Sequence, residues 1–505
     1  MKIEVAEQQI NQFKTQAIVI LIFEEDCKNK NKIEALDKYV DGKISKLIDK
    51  GEISAKFKEY TYLRVNNLPC ENILIMGLGK QKDFTLDKIR ATIAVSSRYL
   101  RRIKIEEFAV PIFTEMNVDI KNSACAVVEG MILGLYKFWK YLTDKDPNFL
   151  KIKKLTILAN KKSEVPQIKE GIDKGYILSM TANFVRDLIN EPANKLNPEI
   201  FSQIAQEKAK EHKLGIKVFL EKDLEKLGTN GILAVGKGSC QAPCMVMMEY
   251  KGKKGGKTIG LIGKGITFDS GGINLKPTEG LAKMHCDMAG ASVVMGVMIA
   301  AAKLKPNINI IGLMPLAENM PGPCSTKPGD IVKMFTGKTV EISNTDAEGR
   351  LLLADALGYA VSKKVDMLID IATLTGAILI TFGRFVAGMF GNDKNLSKAL
   401  FEAGENAGER VWELPLYPEY KAQLRSTVAD LNNSGGREAG SITAGWFLAE
   451  FVNSIPWMHI DIAGTSTMEK TIMPYLRNPY LPKEGATGFG FRLLYYTMER
   501  LADSK

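Results

Sequence analysis

The sequence predicts an α/β protein built as two sheet-and-helix regions joined by a helical connection. The chain has 505 residues, too many for one ordinary hydrophobic core, which points to two to four domains. Short apolar runs of strand length alternate with longer helical stretches in both halves, the pattern of a sheet flanked by helices. Between the halves, Lys169 to Leu188 reads as a helix, stopped by Asn190-Glu-Pro-Ala-Asn194 and Pro198.

In the first region the strands are Ala17–Phe23, Glu71–Gly77 and Leu155–Ala159, and the helices Asn31–Lys50 and Leu86–Leu100. The polar segment Asn160–Pro166 is the first boundary. The second region opens with helix Pro198–Glu211 and strand Lys217–Leu220. Met245–Lys251 and Lys257–Gly263 read as two strands around the turn Gly252–Gly256. Further strands are expected at Asn309–Leu316, Ile331–Met334, Val340–Ser343 and Met367–Ile371. Helices are expected at Ala289–Ala302, Arg350–Ser362, Ser441–Phe451 and, with a long apolar face, Thr487–Leu501.

Composition narrows the class. With 45% hydrophobic and 25% charged residues the chain sits among soluble globular proteins. Acidic residues interrupt the first nine positions where a signal peptide needs an apolar stretch. The run Ala17–Phe23 is far short of the roughly 20 residues that span a bilayer. Seven scattered cysteines do not make a disulfide framework, which fits a reducing cytoplasm and no membrane. Cys240 and Cys244 are the one close pair, and no second Cys/His pair completes a zinc knuckle. The net charge of +10 admits nucleic acid as a secondary partner, but the lysines are spread out without a recognition motif.

Three glycine-rich polar stretches interrupt the apolar pattern. The first is Gly263-Lys264-Gly-Ile-Thr-Phe-Asp269-Ser-Gly-Gly-Ile-Asn-Leu-Lys276-Pro, just past a strand, where catalytic residues tend to sit. It is not a phosphate-binding Walker loop, because Thr258 stands for the first glycine and Gly265 follows the lysine. The second is Met284-His285-Cys286-Asp287-Met-Ala-Gly. Taken alone, Asp287 reads as the N-cap of the following helix. In an extended chain His285 and Asp287 would share a face and Cys286 would not. The chain has three histidines, so a metal site must rest mainly on carboxylates, which favours Mn²⁺, Mg²⁺ or a carboxylate-rich Zn²⁺ site. The third is Ser343-Asn-Thr-Asp346-Ala347-Glu348-Gly349-Arg350-Leu351. Extended backbone would put Asp346 and Glu348 on one side, able to chelate a cation, with Gly349 turning the chain into a helix. Arg350 beside them can hold an anion in bidentate fashion.

These residues resemble the leucine aminopeptidase (cytosol aminopeptidase) family of two-metal peptidases. Asn344-Thr-Asp-Ala-Glu-Gly-Arg-Leu351 matches the family signature in full, and Gly263–Pro277, Met284–Gly290 (with His285-Cys286 at variable positions), Asp370-Ile-Ala-Thr-Leu-Thr-Gly376 and Asp461-Ile-Ala-Gly464 also match the family. Asn190–Asn194, Gly435-Gly436 and Ile442–Gly445 add support, so the likeness covers roughly residues 175–500. It implies an α/β N-terminal domain (1–165, macro-domain-like), a connecting helix and linker (166–195), and a catalytic domain (196–505) whose mixed β-sheet lies between helices.

The resemblance also implies a site. Asp269 and Glu348 would bridge two divalent ions (Mn²⁺, Zn²⁺ or Mg²⁺), Asp346 would serve the more exchangeable ion, and Asp287 with Lys264 the tighter one. Lys276 would polarise the substrate carbonyl, and Arg350 would bind a bicarbonate that shuttles the proton. Met284, Thr373, Leu374 and Gly376 would line the pocket for the first side chain, with large apolar residues such as Leu preferred. The substrates would be peptides with a free N-terminus, and the assembly a cytoplasmic homohexamer, a dimer of trimers. Two rivals from other classes are a two-metal phosphoesterase, which lacks the His-rich ligands common there, and a non-catalytic nucleic-acid-binding protein, supported by charge alone.

Overall fold

The computed structural model describes residues 1–29, 31–38, 40–144 and 151–503, and divides into two compact units. One comprises Met1–Met180 with Thr471–Pro482, the other Thr181–Lys470 with Lys483–Lys505. The helix Val165–Asn190 runs through the boundary in sequence, about four turns beyond the polar segment that the sequence marks as a break.

The first unit holds a six-stranded sheet in the order Lys2–Glu7, Lys154–Ala159, Glu107–Pro111, Ala17–Ile22, Asn72–Gly77, Tyr60–Arg64. Every neighbouring pair is parallel except the last. The inner strands Ala17–Ile22 and Asn72–Gly77 are buried on both faces, which is why they read as unbroken apolar runs. Edge strands Lys2–Glu7 and Tyr60–Arg64 are half-exposed and polar, and the sequence reading passed over them. The helix expected over Asn31–Lys50 is two helices, Asn31–Asp37 and Lys43–Asp49. Asp41 and Gly42 between them have φ of 55° and 67°, left-handed backbone that no helix continues through.

The second unit is organised by a nine-stranded mixed sheet. Its order is Val411–Glu413, Ala387–Gly391, Trp457–Asp461, Met367–Ala372, Thr258–Gly263, Asn309–Asn319, Cys244–Lys251, Gly215–Phe219, with Gly265–Asp269 also pairing the end of Asn309–Asn319. Cys244–Lys251 and Thr258–Gly263 are therefore not a hairpin: Asn309–Asn319 lies between them, antiparallel to the first and parallel to the second. The turn at Gly252–Gly256 is real, but the strand that returns from the helix Ala289–Leu304 takes the central place.

Helices cover both faces. On one side Ile262, Leu313, Leu368 and Ala372 join a core with Leu352, Leu353, Ala356 and Leu357 of helix Gly349–Ser362 and Phe447 of helix Gly440–Ala449. On the other, helix Ala289–Leu304 packs so closely that a Cβ on Gly312 would meet Val294 and Met298. That helix is apolar all round because it is buried all round. It accounts for the one described helix long and apolar enough to cross a membrane. The last helix begins at Phe491, not Thr487, because Gly488 and Gly490 have φ of 72° and 95°. Parallel strands Thr258–Gly263, Met367–Ala372 and Trp457–Asp461 all end on one edge of the sheet. The connection that leaves that edge after Thr258–Gly263 carries the first two polar stretches singled out in the sequence. The third follows strand Thr339–Glu341 of a separate three-stranded sheet formed with Ile331–Lys333 and Leu431–Asn432.

Candidate active site

Lys264 occupies the break between strands Thr258–Gly263 and Gly265–Asp269, and Asp269 ends the second of these. Both are almost fully buried. Lys264 Nζ reaches Asp287 Oδ2 at 2.8 Å and Glu348 Oε1 at 2.9 Å, and donates to the Thr373 carbonyl at 2.9 Å. Burial opposes its charge, but Asp287, Glu348 and Asp269 together outweigh burial and raise its pKa. It is an ammonium here, so ligation to a metal requires the metal's own charge to displace the proton. Helix Gly349–Ser362 starts against this lysine. A Cβ on Gly349 would stand 2.4 Å from Lys264 Cε and 2.6 Å from Nζ, so glycine is needed for room rather than for the turn the sequence suggests.

Lys276 bridges the other side of the cluster, 2.8 Å from Asp269 Oδ2 and 2.5 Å from Asp346 Oδ1. Burial again disfavours the charge, and Asp269, Glu348 and Asp346 reverse that, raising its pKa. Gly271 and Gly272, at φ of 89° and 68°, let this loop fold back. A side chain on Gly271 would meet the Asn274 carbonyl at 2.4 Å and Asp346 Oδ1 at 2.9 Å.

The sequence argument for Asp346 and Glu348 rests on extended backbone, and the backbone is not extended. Residues 344–347 form a turn closed by the Ala347 amide on the Asn344 carbonyl at 3.2 Å, and Glu348 is already helical at φ −75°, ψ −39°. The turn still converges the acids: one oxygen each from Asp269, Asp346 and Glu348 lie within 4.8 Å of one another. The same correction applies at Asp287. Met284–Cys286 is a single tight 3₁₀ turn, and Asp287 caps nothing: the N-cap position of the next helix is Met288. Its carboxylate instead pairs with Lys264 and accepts from Thr373 Oγ1 at 2.7 Å. His285 stands outside the carboxylate cluster found among the described residues, and burial lowers its pKa.

Four carboxylates thus face two ammoniums. Burial first, and then their mutual repulsion, raises the pKa of Asp287 (to about 8), Asp346 and Glu348. Asp287 Oδ2 and Asp346 Oδ1 lie at ion-pair distance from the lysines yet accept no directed hydrogen bond. Buried, crowded carboxylate oxygens in excess of their cations, with free lone pairs, are the donor set that hard or borderline dications fit.

Arg350 is buried on the second residue of its helix. One guanidinium nitrogen donates to the Asn433 carbonyl at 2.7 Å, the group lies 5.9 Å from the Phe447 ring, and Nε is buried without a partner. Burial lowers its pKa to about 10, so it stays cationic at neutral pH with donor capacity left for an anion.

Met284 is half-buried in the tight turn, Leu374 half-buried, and Gly376 exposed at the start of helix Gly376–Phe382. Thr373 is fully engaged with Lys264 and Asp287 through its carbonyl and hydroxyl.

Sequence reasoning missed three residues that hold the loops together. Asn319 donates to Asp269 at 2.9 Å and to the Thr345 carbonyl at 3.0 Å. Thr345 donates to the Gly271 carbonyl at 2.7 Å, tying the Asp269 loop to the Asp346 turn. Asn433 Oδ1 accepts from the amides of Ser343 and Asn344, at 2.9 and 3.2 Å. The one signal available for Asn319 was a polar Glu-Asn pair closing an otherwise apolar strand.

Known proteins place the chain in a family. A family model described as "Cytosol aminopeptidase family, catalytic domain" matches residues 183–495, and that family's N-terminal domain matches residues 19–145. The chain belongs to the cytosol aminopeptidase family. A "Probable cytosol aminopeptidase" from Geotalea uraniireducens is 42% identical, over 91% of this chain and 92% of its own length. Another, from Alkaliphilus metalliredigens, is 38% identical over 98% of each. Among solved structures, a mutant of tomato leucine aminopeptidase superimposes with a TM-score of 0.88 at 28% identity, covering 99% of this chain and 96% of that one. The bottromycin maturation enzyme BotP in complex with Mn has a TM-score of 0.83 at 29% identity, covering 97% and 100%. As a cytosol aminopeptidase family member the chain is a metal-dependent aminopeptidase, a hydrolase of peptide bonds.

Proposed function

We propose that the protein removes N-terminal residues, with Leu and other large apolar residues preferred, from peptides through two divalent ions held by Lys264, Asp269, Asp287, Asp346 and Glu348. The observation that carries this is the convergence of the Asp269, Asp346 and Glu348 oxygens beside the buried Lys264–Asp287 pair. Glu348 and Asp287 pair with Lys264, and Asp269 and Asp346 pair with Lys276, so the four carboxylates would hold the ions between the two lysines. By the family resemblance Asp269 and Glu348 would be the two shared by both ions, Asp346 would serve the more exchangeable ion and Asp287 the tighter one. Mn²⁺ or Zn²⁺, or Mg²⁺, bound there would supply Lewis acidity toward water and the scissile carbonyl.

The chain's own residues do the rest. Lys276, protonated and about one-fifth exposed, donates to the carbonyl oxygen as negative charge develops on it. Arg350 holds an anion with its unpartnered Nε, and a bicarbonate there would carry a proton toward the leaving amine, a task no histidine of the site is placed to do. Met284, Leu374 and Gly376, with Thr373 behind them, bound the place of the first side chain.

Metal-stripped protein should release nothing from leucine p-nitroanilide, and Mn²⁺ or Zn²⁺ should restore release. The N-acetylated substrate should stay intact in either case. A folded protein inactive with every divalent ion, or active on the acetylated substrate, would refute this reading, and hydrolysis of an aryl phosphate instead would favour the phosphoesterase. The same reading carries a cytoplasmic homohexamer, a dimer of trimers. Light scattering should give six times the 55.8 kDa chain mass, and a monomer would count against it.

A further inference from the structure

Asp461 ends the strand Trp457–Asp461 and is completely buried. A buried carboxylate is costly unless its lone pairs are met. Among the described residues Asp461 forms no ion pair, and it is satisfied by donors instead. Oδ1 accepts from the amides of Leu374 at 3.1 Å, Thr375 at 3.4 Å and Ala463 at 3.1 Å, and Oδ2 accepts from Thr375 Oγ1 at 2.6 Å. Three of these four donors belong to the two residues that follow Thr373.

That placement matters because the strand Met367–Ala372 has already ended. Its last sheet bond is from the Ile462 amide to the Ala372 carbonyl. Residues 373–375 therefore depend on side chains for their conformation, and Asp461 supplies most of the anchoring. Thr375 adds a contact to Ser441 Oγ at 2.7 Å and caps helix Gly376–Phe382 through the Ile378 amide. Thr373, on the same short loop, puts its carbonyl on Lys264 and its hydroxyl on Asp287.

Asp461 is itself backed by the alternate residues of its strand. His459 Nδ1 lies 2.5 Å from Asp370 Oδ1, and Trp457 Nε1 donates to Asp370 Oδ2 at 2.7 Å, all of it buried. His459 and Arg350 are the basic groups that act electrostatically on Asp461. Trp457, His459 and Asp461 thus alternate along one face of the strand, with the first two tied to Asp370 and Asp461 at the sheet edge.

We infer that Asp461 is a positioning residue of the metal site: by holding the Leu374 and Thr375 backbone, it presents Thr373 to Lys264 and Asp287. The inference rests on the reading of Lys264 and Asp287 as metal-binding residues. It gives a function to the buried acid in the Asp461-Ile-Ala-Gly464 stretch, which touches no proposed metal ligand directly.

Mn²⁺ affinity, read from the electron paramagnetic resonance of free Mn²⁺ in a titration of the full chain, is the test. Asp461→Ala should weaken the tighter site about 10–100-fold with unchanged far-UV circular dichroism, and Thr373→Val should do the same. The double variant should be no weaker than the worse single, because both remove one path. Asp461→Asn should keep most of the affinity: its amide oxygen can replace Oδ1, and Thr375 Oγ1 can accept from the amide nitrogen. Wild-type affinity in Asp461→Ala or Thr373→Val, or an Asn variant as weak as the Ala variant, overturns the inference. If Asp461→Ala fails to fold, the Thr373→Val and Asp461→Asn results decide alone. Wild-type protein that binds no Mn²⁺ brings down the metal-site reading, and this inference with it.

Discussion

Replacing Glu348 with alanine should reduce turnover by at least about a thousandfold, a loss of several kcal/mol of transition-state stabilisation, while the fold survives. The expectation follows from where the carboxylate stands. Glu348 reaches Lys264 with one oxygen and lies 3.5 Å from the Asn319 amide with the other, within the group that includes Asp269 and Asp346. It therefore has a place no neighbouring carboxylate can take over. Structurally the side chain does little. It makes no cap bond at the start of helix Gly349–Ser362, and its burial among like charges raises its pKa rather than lowering it. Removing it relieves repulsion, and that offsets part of the cost of the cavity left behind. Thermal melts in chelator should accordingly differ little between the variant and the parent, while metal content by elemental analysis falls. A Glu348→Ala variant with near-normal kcat would remove Glu348 from the site.

Much of this site was legible in the sequence, for a reason the structure makes clear. Lys264 and Asp269 leave apolar strands of the nine-stranded sheet, Asp287 precedes an apolar helix, and Asp346, Glu348 and Arg350 follow the short strand Thr339–Glu341 of a separate three-stranded sheet, all beside glycines. Polar residues embedded in apolar strands are visible without coordinates. What was not legible is how the turns between them run. The extended-strand argument for Asp346 and Glu348 reached a correct grouping through a wrong backbone, because the hydrogen bond from Ala347 to Asn344 is a local choice that no periodicity encodes. Asp287 as a helix cap was the natural local reading, and long-range contacts to Lys264 and Thr373 overruled it. Asn319, Thr345 and Asn433 escaped notice because their meaning lies in partners up to 90 positions away in sequence. In the fold, the buried strands announced themselves and the half-polar edges did not. Strand order was hidden as well: nothing local says that Asn309–Asn319 inserts between Cys244–Lys251 and Thr258–Gly263.

Lys276→Ala should lower kcat by a factor of about a hundred to a thousand, or about 3–4 kcal/mol, with KM and metal content little changed. Two roles are open to this lysine on geometry alone, and magnitude separates them. As a counter-ion it pairs with Asp269 and Asp346 in the resting site, a contribution to stability that leaves the transition state untouched. Once a dication neutralises the same carboxylates, even that contribution falls away. As an oxyanion donor its effect appears only in the transition state, where charge develops on the substrate oxygen next to a fixed ammonium. Asp269, Glu348 and Asp346 raise its pKa against the opposing effect of burial, so the donor is protonated throughout the neutral range. The alanine variant also takes a positive charge away from the carboxylates, which favours cation binding rather than opposing it. Kinetics and metal analysis on one preparation therefore discriminate. Slow turnover with full metal occupancy supports the donor role, whereas loss of metal makes Lys276 a structural tie between Asp269 and Asp346 and leaves the oxyanion without a protein donor.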